Sequence, residues 1–307
     1  MMSTLSGHVE DYLRLRRALG YKLERAGHLL PKLVGYLEAA GSETLTTELA
    51  ISWARLPANA RPNHWAARLS VARGFARYLQ TIEPATEVPP QAVFPTRRHR
   101  PAPYLWSQQD IHRLLDGARG LRPRLRAATH EALFGLLAVS GMRIGEAVGL
   151  DRDDVAFDTG VITIRHAKFD RTRLVPLHPR TTEALRSYAS ERDRLWPPRT
   201  SRAFFVSGAG TRLGRSDVAK TLRRITTAMG LRTDTVHPTA HQLRHSFAVR
   251  TLIDWHRSGV RVDEHIATLS TYLGHVSPAD TYWYLSASPE LMGLAADRLD
   301  AYFGAGR

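Results

Sequence analysis

Apolar residues recur at helical spacing from the start of the chain to residue 84. Val9, Tyr12, Leu13 and Leu19 form one stripe ahead of Gly20, and Leu23, Ala26, Leu30, Leu33 and Leu37 form a second that stops at Gly41. The pattern predicts a short helix from Thr46 to Leu56, ending before Pro57. A fourth is predicted from Asn63 to Gln80, with Trp65, Leu69, Ala72, Phe75 and Leu79 on its apolar side. The opposite face of that helix carries Arg68, Arg73 and Arg77. Residues 1–84 therefore read as a small helical domain whose polar faces can lie on phosphates, and these three arginines are its candidate contacts.

Residues 85–103 break the periodicity. With Pro84 just ahead of it, the segment holds Pro89, Pro90, Pro95, Pro101 and Pro103, and a basic cluster of Arg97, Arg98, His99 and Arg100. Such proline density predicts an extended, semi-rigid linker, and its arginines are further candidate phosphate contacts. Residues 104–307 form a second domain. Ser107 is positioned to cap a helix containing Ile111, Leu114 and Leu115, and a long apolar helix covers 124–140. Val161–Arg165 and Arg173–Leu177 alternate like two strands joined through a polar turn at 168–172. Helices follow at about 179–195, 216–228, 240–258 and 262–273, interrupted by a short strand at Ala203–Val206. Ser288 and Pro289 open a last helix with an apolar stripe of Leu291, Leu294, Leu299, Tyr302 and Phe303. The expected class is mainly α with a small β-sheet, α+β.

Charge narrows the function. Across 307 residues, 43 Lys and Arg face 29 Asp and Glu, a net charge of +14 that points to a polyanionic partner, most simply nucleic acid. Many of these cations are arginine, the better bidentate ligand for phosphate. The chain has no cysteine, which removes disulfides, thiolate zinc sites and cysteine nucleophiles together. No run approaches the ~18–20 apolar residues of a membrane span. Met1–Glu10 lacks the basic-then-apolar pattern of a secretion signal, so the expected location is cytoplasmic.

Several chemistries fail on spacing. Gly208–Ser216 hints at a phosphate loop, but its glycines are off by one and Arg215 stands where the lysine belongs. His241 and His245 have zinc-binding spacing, yet a zincin needs Glu where Gln242 stands, and Arg244 would repel a dication. There is no G-x-S-x-G elbow. Neither a metal nor a cofactor is expected.

What remains is a set of cations around a tyrosine. Cleaving a phosphodiester takes a nucleophile, screening of a transition state more negative than the ground state, and a proton for the leaving oxygen. Arg143 follows Gly141-Met142 at a helix start, with Glu146 one turn on. Lys168 lies in the turn between the two strands. His241 and Arg244 share a helical face, Leu273-Gly274-His275 forms a glycine break, and Tyr284 comes nine residues after His275. Tyr282 is a rival nucleophile, and His245 reads as a core or capping histidine.

In this order the boxes resemble those of the tyrosine recombinase (phage integrase) family: an Arg box, a β-hairpin Lys, H-x-x-R, L-G-H and a Tyr nine residues after that His. Thr281 also fits, and the two arginines stand 101 residues apart, a separation of the family's order. The resemblance spans about 104–300. It also implies a SAM-like helical core-binding domain at the N-terminus, though on far less specific grounds. It implies a site-specific recombinase of a mobile element, in which Tyr284 attacks the scissile phosphate to give a 3′-phosphotyrosyl link and a free 5′-hydroxyl. Arg143 and Arg244 then brace the non-bridging oxygens, Lys168 protonates the leaving oxygen, and His241 assists proton transfer. His275 hydrogen-bonds the phosphate and Glu146 orients the arginines. The implied partners are double-stranded DNA with specific sites and a homotetramer on that DNA, alone or with co-encoded recombinases. The final helix docks either on its own domain or on a neighbour. Family members often have His two residues after the tyrosine, where this chain has Ser286. A type IB topoisomerase and a non-catalytic DNA-binding regulator are the alternatives. The former typically has Lys at the position of His241, and the latter would be expected to have lost a catalytic group.

Overall fold

The computed structural model describes residues 4–95, 103–165, 172–196, 201–275, 277, 279–286 and 288–304. The chain divides into two compact units, Met1–Arg100 and Pro101–Arg307. The first is built from α1 (Thr4–Ala18), α2 (Glu24–Ala39), α3 (Thr47–Arg55) and α4 (Pro62–Leu79). Leu30, Leu33, Leu37, Trp53, Phe75 and Leu79, drawn from three of these helices, are fully buried together. Each such side chain contributes about 1.5–3 kcal/mol through removal from water. Thr46 caps α3 by accepting the Leu49 N–H, and Pro62 stands at the first turn of α4, where no amide partner is needed.

Two expectations change here. The first part of the proline-rich segment is not a free tether. Arg73 donates to the carbonyls of Pro89 (2.8 Å) and Pro90 (2.6 Å), Glu87 donates its amide to Leu45 O, and Phe94 is buried against Trp65. Proline carbonyls have no helical or sheet partner, and Arg73 supplies one. Arg68 does not lie on a solvated face. It is 8% exposed, its guanidinium lies 4.0 Å over the Trp53 ring, and it donates to Trp53 O at 2.9 Å. The amphipathic pattern placed it outside, but the long aliphatic stem and planar head bury well against an indole. Arg77 is exposed; Arg97, Arg98 and Arg100 lie outside the described residues.

The second unit packs α5 (Gln108–Arg119), α6 (Arg124–Ser140), α7 (Ile144–Gly149), α8 (Pro179–Leu195) and α9 (Arg215–Ala228) with a small sheet. α10 (Ala240–Arg257), α11 (Val262–Leu273), α12 (Ala279–Tyr282) and α13 (Pro289–Gly304) complete it. Ser107 and Asp110 form a capping box on α5. α6 is apolar on nearly every side because α5, α8 and α10 all pack on it. The antiparallel sheet runs β1 (Val155–Ala156), β2 (Val161–Ile164), β3 (Arg173–Pro176), with Ile162 opposite Val175 and Ile164 opposite Arg173. The segment 203–206 makes isolated bridges to Asp151 and Arg212 and is not a strand of this sheet. Its backbone is held by Phe204 N–H to Leu150 O and Leu213 N–H to Phe205 O, and by side chains such as Arg192, which donates to Phe204 O.

A second core gathers Val249, Leu252, Ile253, Ile266, Leu269, Leu273, Tyr284 and Leu291. Leu291, with the partly buried Leu294, thereby seats the first turns of α13 on α10 of the same chain. The side chains of Leu299, Tyr302 and Phe303 lie outside those described. Among the described residues no helix is long and apolar enough to cross a membrane.

Candidate active site

The site forms where α6, α7, α10 and α11 end or begin. α6 stops at Gly141, which adopts the left-handed conformation (φ 58°), and a Cβ there would sit 2.5 Å from the Phe247 ring. That turn delivers Arg143 as the residue capping α7. The Arg143 amide donates to Glu146 Oε2 (2.9 Å), its Nη1 donates to Glu146 Oε1 (2.9 Å), and its Nη2 donates to Gly274 O (2.8 Å). Arg212 steadies the far end of α7 by donating to the carbonyls of Val148 and Leu150.

Arg244 comes from the second turn of α10. It is 1% exposed and donates to Gly141 O and Leu273 O, both at 2.8 Å. Burial and the Arg143 charge lower its guanidinium to about 10, partly opposed by the neighbouring Tyr284 hydroxyl and Glu146. It therefore stays charged at neutral pH.

α11 ends in a Schellman turn. Gly274, in the left-handed region at φ 69°, donates to Thr271 O, and His275 donates to Ser270 O. His275 follows with Nδ1 2.6 Å from the fully buried Thr281 hydroxyl. Burial and the charges of Arg244 and Arg143 push His275 down to about 4. His241 is lowered by the same causes, so both imidazoles are neutral near pH 7. Tyr284 lies on a short 3-10 turn, 283–286, and is 2% exposed. Its ring stacks on His275 (5.9 Å between centroids, 23° between planes) and meets His245 at 5.4 Å. His245 in turn meets His241 at 4.5 Å. Tyr282 is 53% exposed.

Residues 105–290 match the model described as the phage integrase family. The chain belongs to this family, the tyrosine recombinases. It is 43% identical to "Putative integrase/recombinase y4rB" of Sinorhizobium fredii over 97% of this chain and 98% of that protein. It is 31% identical to the tyrosine recombinase XerC of Azotobacter vinelandii, over 70% of this chain and 67% of XerC. Among solved structures, the Tn1549 transposon integrase in complex with a circular intermediate DNA shares its fold, at TM-score 0.65 and 16% identity. That match covers 90% of this chain and 94% of the integrase chain.

The recombinase thus brings Arg143, Glu146, Arg244, His275 and Tyr284 together, with His241 at the margin through His245. Lys168 lies outside the described residues. Among the described residues no three His, Cys, Asp or Glu side chains are grouped to hold a metal ion. Sequence reasoning missed Arg173. At 13% exposure it donates Nη1 and Nη2 to the two oxygens of Glu146 (2.9 and 2.7 Å) and Nε to Tyr272 O (3.2 Å). Burial alone would raise the Glu146 carboxyl, but the hydrogen bonds and charge of Arg173, then Arg143, outweigh it and hold it at about 2. A signal was present in β3. Arg173 shares the buried face with Val175, while Leu174 between them is 62% exposed, the reverse of an ordinary half-buried strand.

Proposed function

We propose that this recombinase cleaves and rejoins DNA at specific sites through a covalent 3′-phosphotyrosyl intermediate, with Tyr284 as nucleophile. The observation that carries the reading is the Tyr284 hydroxyl beside the buried Arg244, in a pocket whose second arginine is fixed by Glu146 and Gly274 O. Two guanidiniums on the non-bridging oxygens stabilise the added negative charge of the transition state, and their carbonyl and carboxylate anchors pre-orient them.

The Tyr284 oxygen bonds to phosphorus as the bond to O5′ breaks. The phenolic proton passes to the neutral imidazole of His241, and the Lys168 ammonium gives a proton to O5′. In the tautomer whose Nδ1 accepts from the Thr281 hydroxyl, 2.6 Å away, His275 carries its proton on Nε2 and offers it to a phosphate oxygen. The bond energy is kept in the phosphotyrosine, so attack by a 5′-hydroxyl reseals the strand without ATP, and the guanidiniums supply the charge a metal would.

The N-terminal unit, through Arg77 and the basic cluster of Arg97, Arg98 and Arg100, holds the same duplex through its phosphates. Four protomers assemble on two DNA sites. A suicide DNA substrate that loses its 5′-hydroxyl fragment tests the chemistry. The wild type yields an SDS-resistant adduct in EDTA, and Tyr284→Phe yields none. An adduct formed equally by Tyr284→Phe, or one that requires a divalent cation, would overturn the proposal.

A further inference from the structure

The Schellman turn that ends α11 satisfies the carbonyls of Ser270 and Thr271. Three further carbonyls at this helix end need donors, and each receives one from a different arginine. Tyr272 O accepts from Arg173, Leu273 O from Arg244 and Gly274 O from Arg143. The negative end of the helix dipole favours three cations there. The three guanidiniums arrive from a strand, from α10 and from the start of α7, so one helix end sets their mutual spacing.

Arg173 differs from the other two. Its Nε, Nη1 and Nη2 are all engaged, and it is nearly enclosed. It therefore presents no open fork to a phosphate. Its two-pronged grip fixes the plane of the Glu146 carboxylate, and that same carboxylate takes both the amide and the Nη1 of Arg143. Gly274 completes the arrangement, because a Cβ there would lie 2.7 Å from Arg173 Nη1.

We infer that Arg173 is a positioning residue, which aims Arg143 through Glu146 and the Tyr272–Gly274 carbonyls without touching DNA. The inference rests on the phosphotyrosyl reading above. A lysine cannot replace it, since an ammonium lacks the planar fork that matches both carboxylate oxygens.

The test is single-turnover cleavage of a suicide substrate by full-length wild type, Arg173→Gln, Arg173→Lys and Arg173→Gln/Glu146→Gln, with DNA titrations and thermal melts in parallel. Misaiming one phosphate ligand costs on the order of 100-fold in rate. Both single variants should lose about that factor at saturating DNA, with half-saturation within about twofold of wild type. Removing Arg173 also removes the main influence that keeps Glu146 ionised. His241 and His275 already give the wild type an acid limb. In Arg173→Gln that limb should move to higher pH as Glu146 protonates, and the double variant should lose the displacement. A wild-type rate in Arg173→Gln overturns the inference. So does full recovery at saturating DNA, which would make Arg173 a substrate contact. A rate loss that tracks the melting temperature, with an unchanged pH profile, overturns it as well. Failure of the wild type to form an adduct, or adduct formation by Tyr284→Phe, would sink the underlying reading whatever Arg173 does.

Discussion

Replacing Gly274 with alanine perturbs the site at one atom. Gly274 sits at φ 69°, where a side chain costs about 1–2 kcal/mol. The new Cβ would also stand 2.7 Å from Arg173 Nη1 and 3.0 Å from its Cζ, too close for either to remain in place. Gly259 provides the control. It has φ 76°, and nothing lies within 4 Å of its would-be Cβ, so Gly259→Ala carries the backbone cost alone. Gly259→Ala should lose about 1–2 kcal/mol, a melting shift of roughly 2–8 °C for a unit of this size, and Gly274→Ala should lose more. Only Gly274→Ala must also displace Arg173, which is tied to Glu146 by two bonds. Its cleavage rate at saturating DNA should fall on the order of 100-fold while Gly259→Ala stays near wild type. The assay pairs calorimetric melting with single-turnover adduct formation well below both transitions. Equal cleavage by the two variants would refute the reasoning, because the contact with Arg173 would then carry no catalytic consequence.

Other perturbations separate structural from DNA-facing cations. Arg68→Ala should destabilise the N-terminal unit by about 1–3 kcal/mol, through loss of the Trp53 contact and its carbonyl bond, while leaving the salt dependence of DNA binding unchanged. Arg77→Gln should leave melting unchanged and reduce the slope of log K against log salt by about 0.9, as filter binding over a salt series would report. The folded protein keeps His275 neutral down to about 4, whereas an unfolded chain protonates histidine near 6.5. Stability of the second unit should therefore decline as pH falls from about 6.5 to 4. His275→Asn should flatten that decline in denaturant titrations, and an unaltered pH dependence would contradict it.

Much of this was written in the pattern. The helices at 124–140, 179–195 and 262–273 emerged with the boundaries their stripes and caps predicted, because Ser, Gly and Pro punctuation coincided with the end of each stripe. The arginine, histidine and tyrosine boxes were legible as motifs, although their convergence depends on contacts more than 100 residues apart, such as Arg143 with Gly274. Three things were not legible. β1 has two residues, too few to carry a period. Arg68 occupies a polar position in an amphipathic helix, and only the indole it covers makes burial favourable. Arg173 reads as an ordinary strand residue because inward-facing charge is intelligible only once Glu146 and the end of α11 are in view.

The nucleophile is the point on which the account turns, and protease digestion of a trapped covalent complex followed by mass spectrometry of the DNA-linked peptide addresses it directly. The account predicts a single modified residue, Tyr284, joined to a 3′-phosphate. Modification at Tyr282, or a 5′-phosphate linkage, would contradict it.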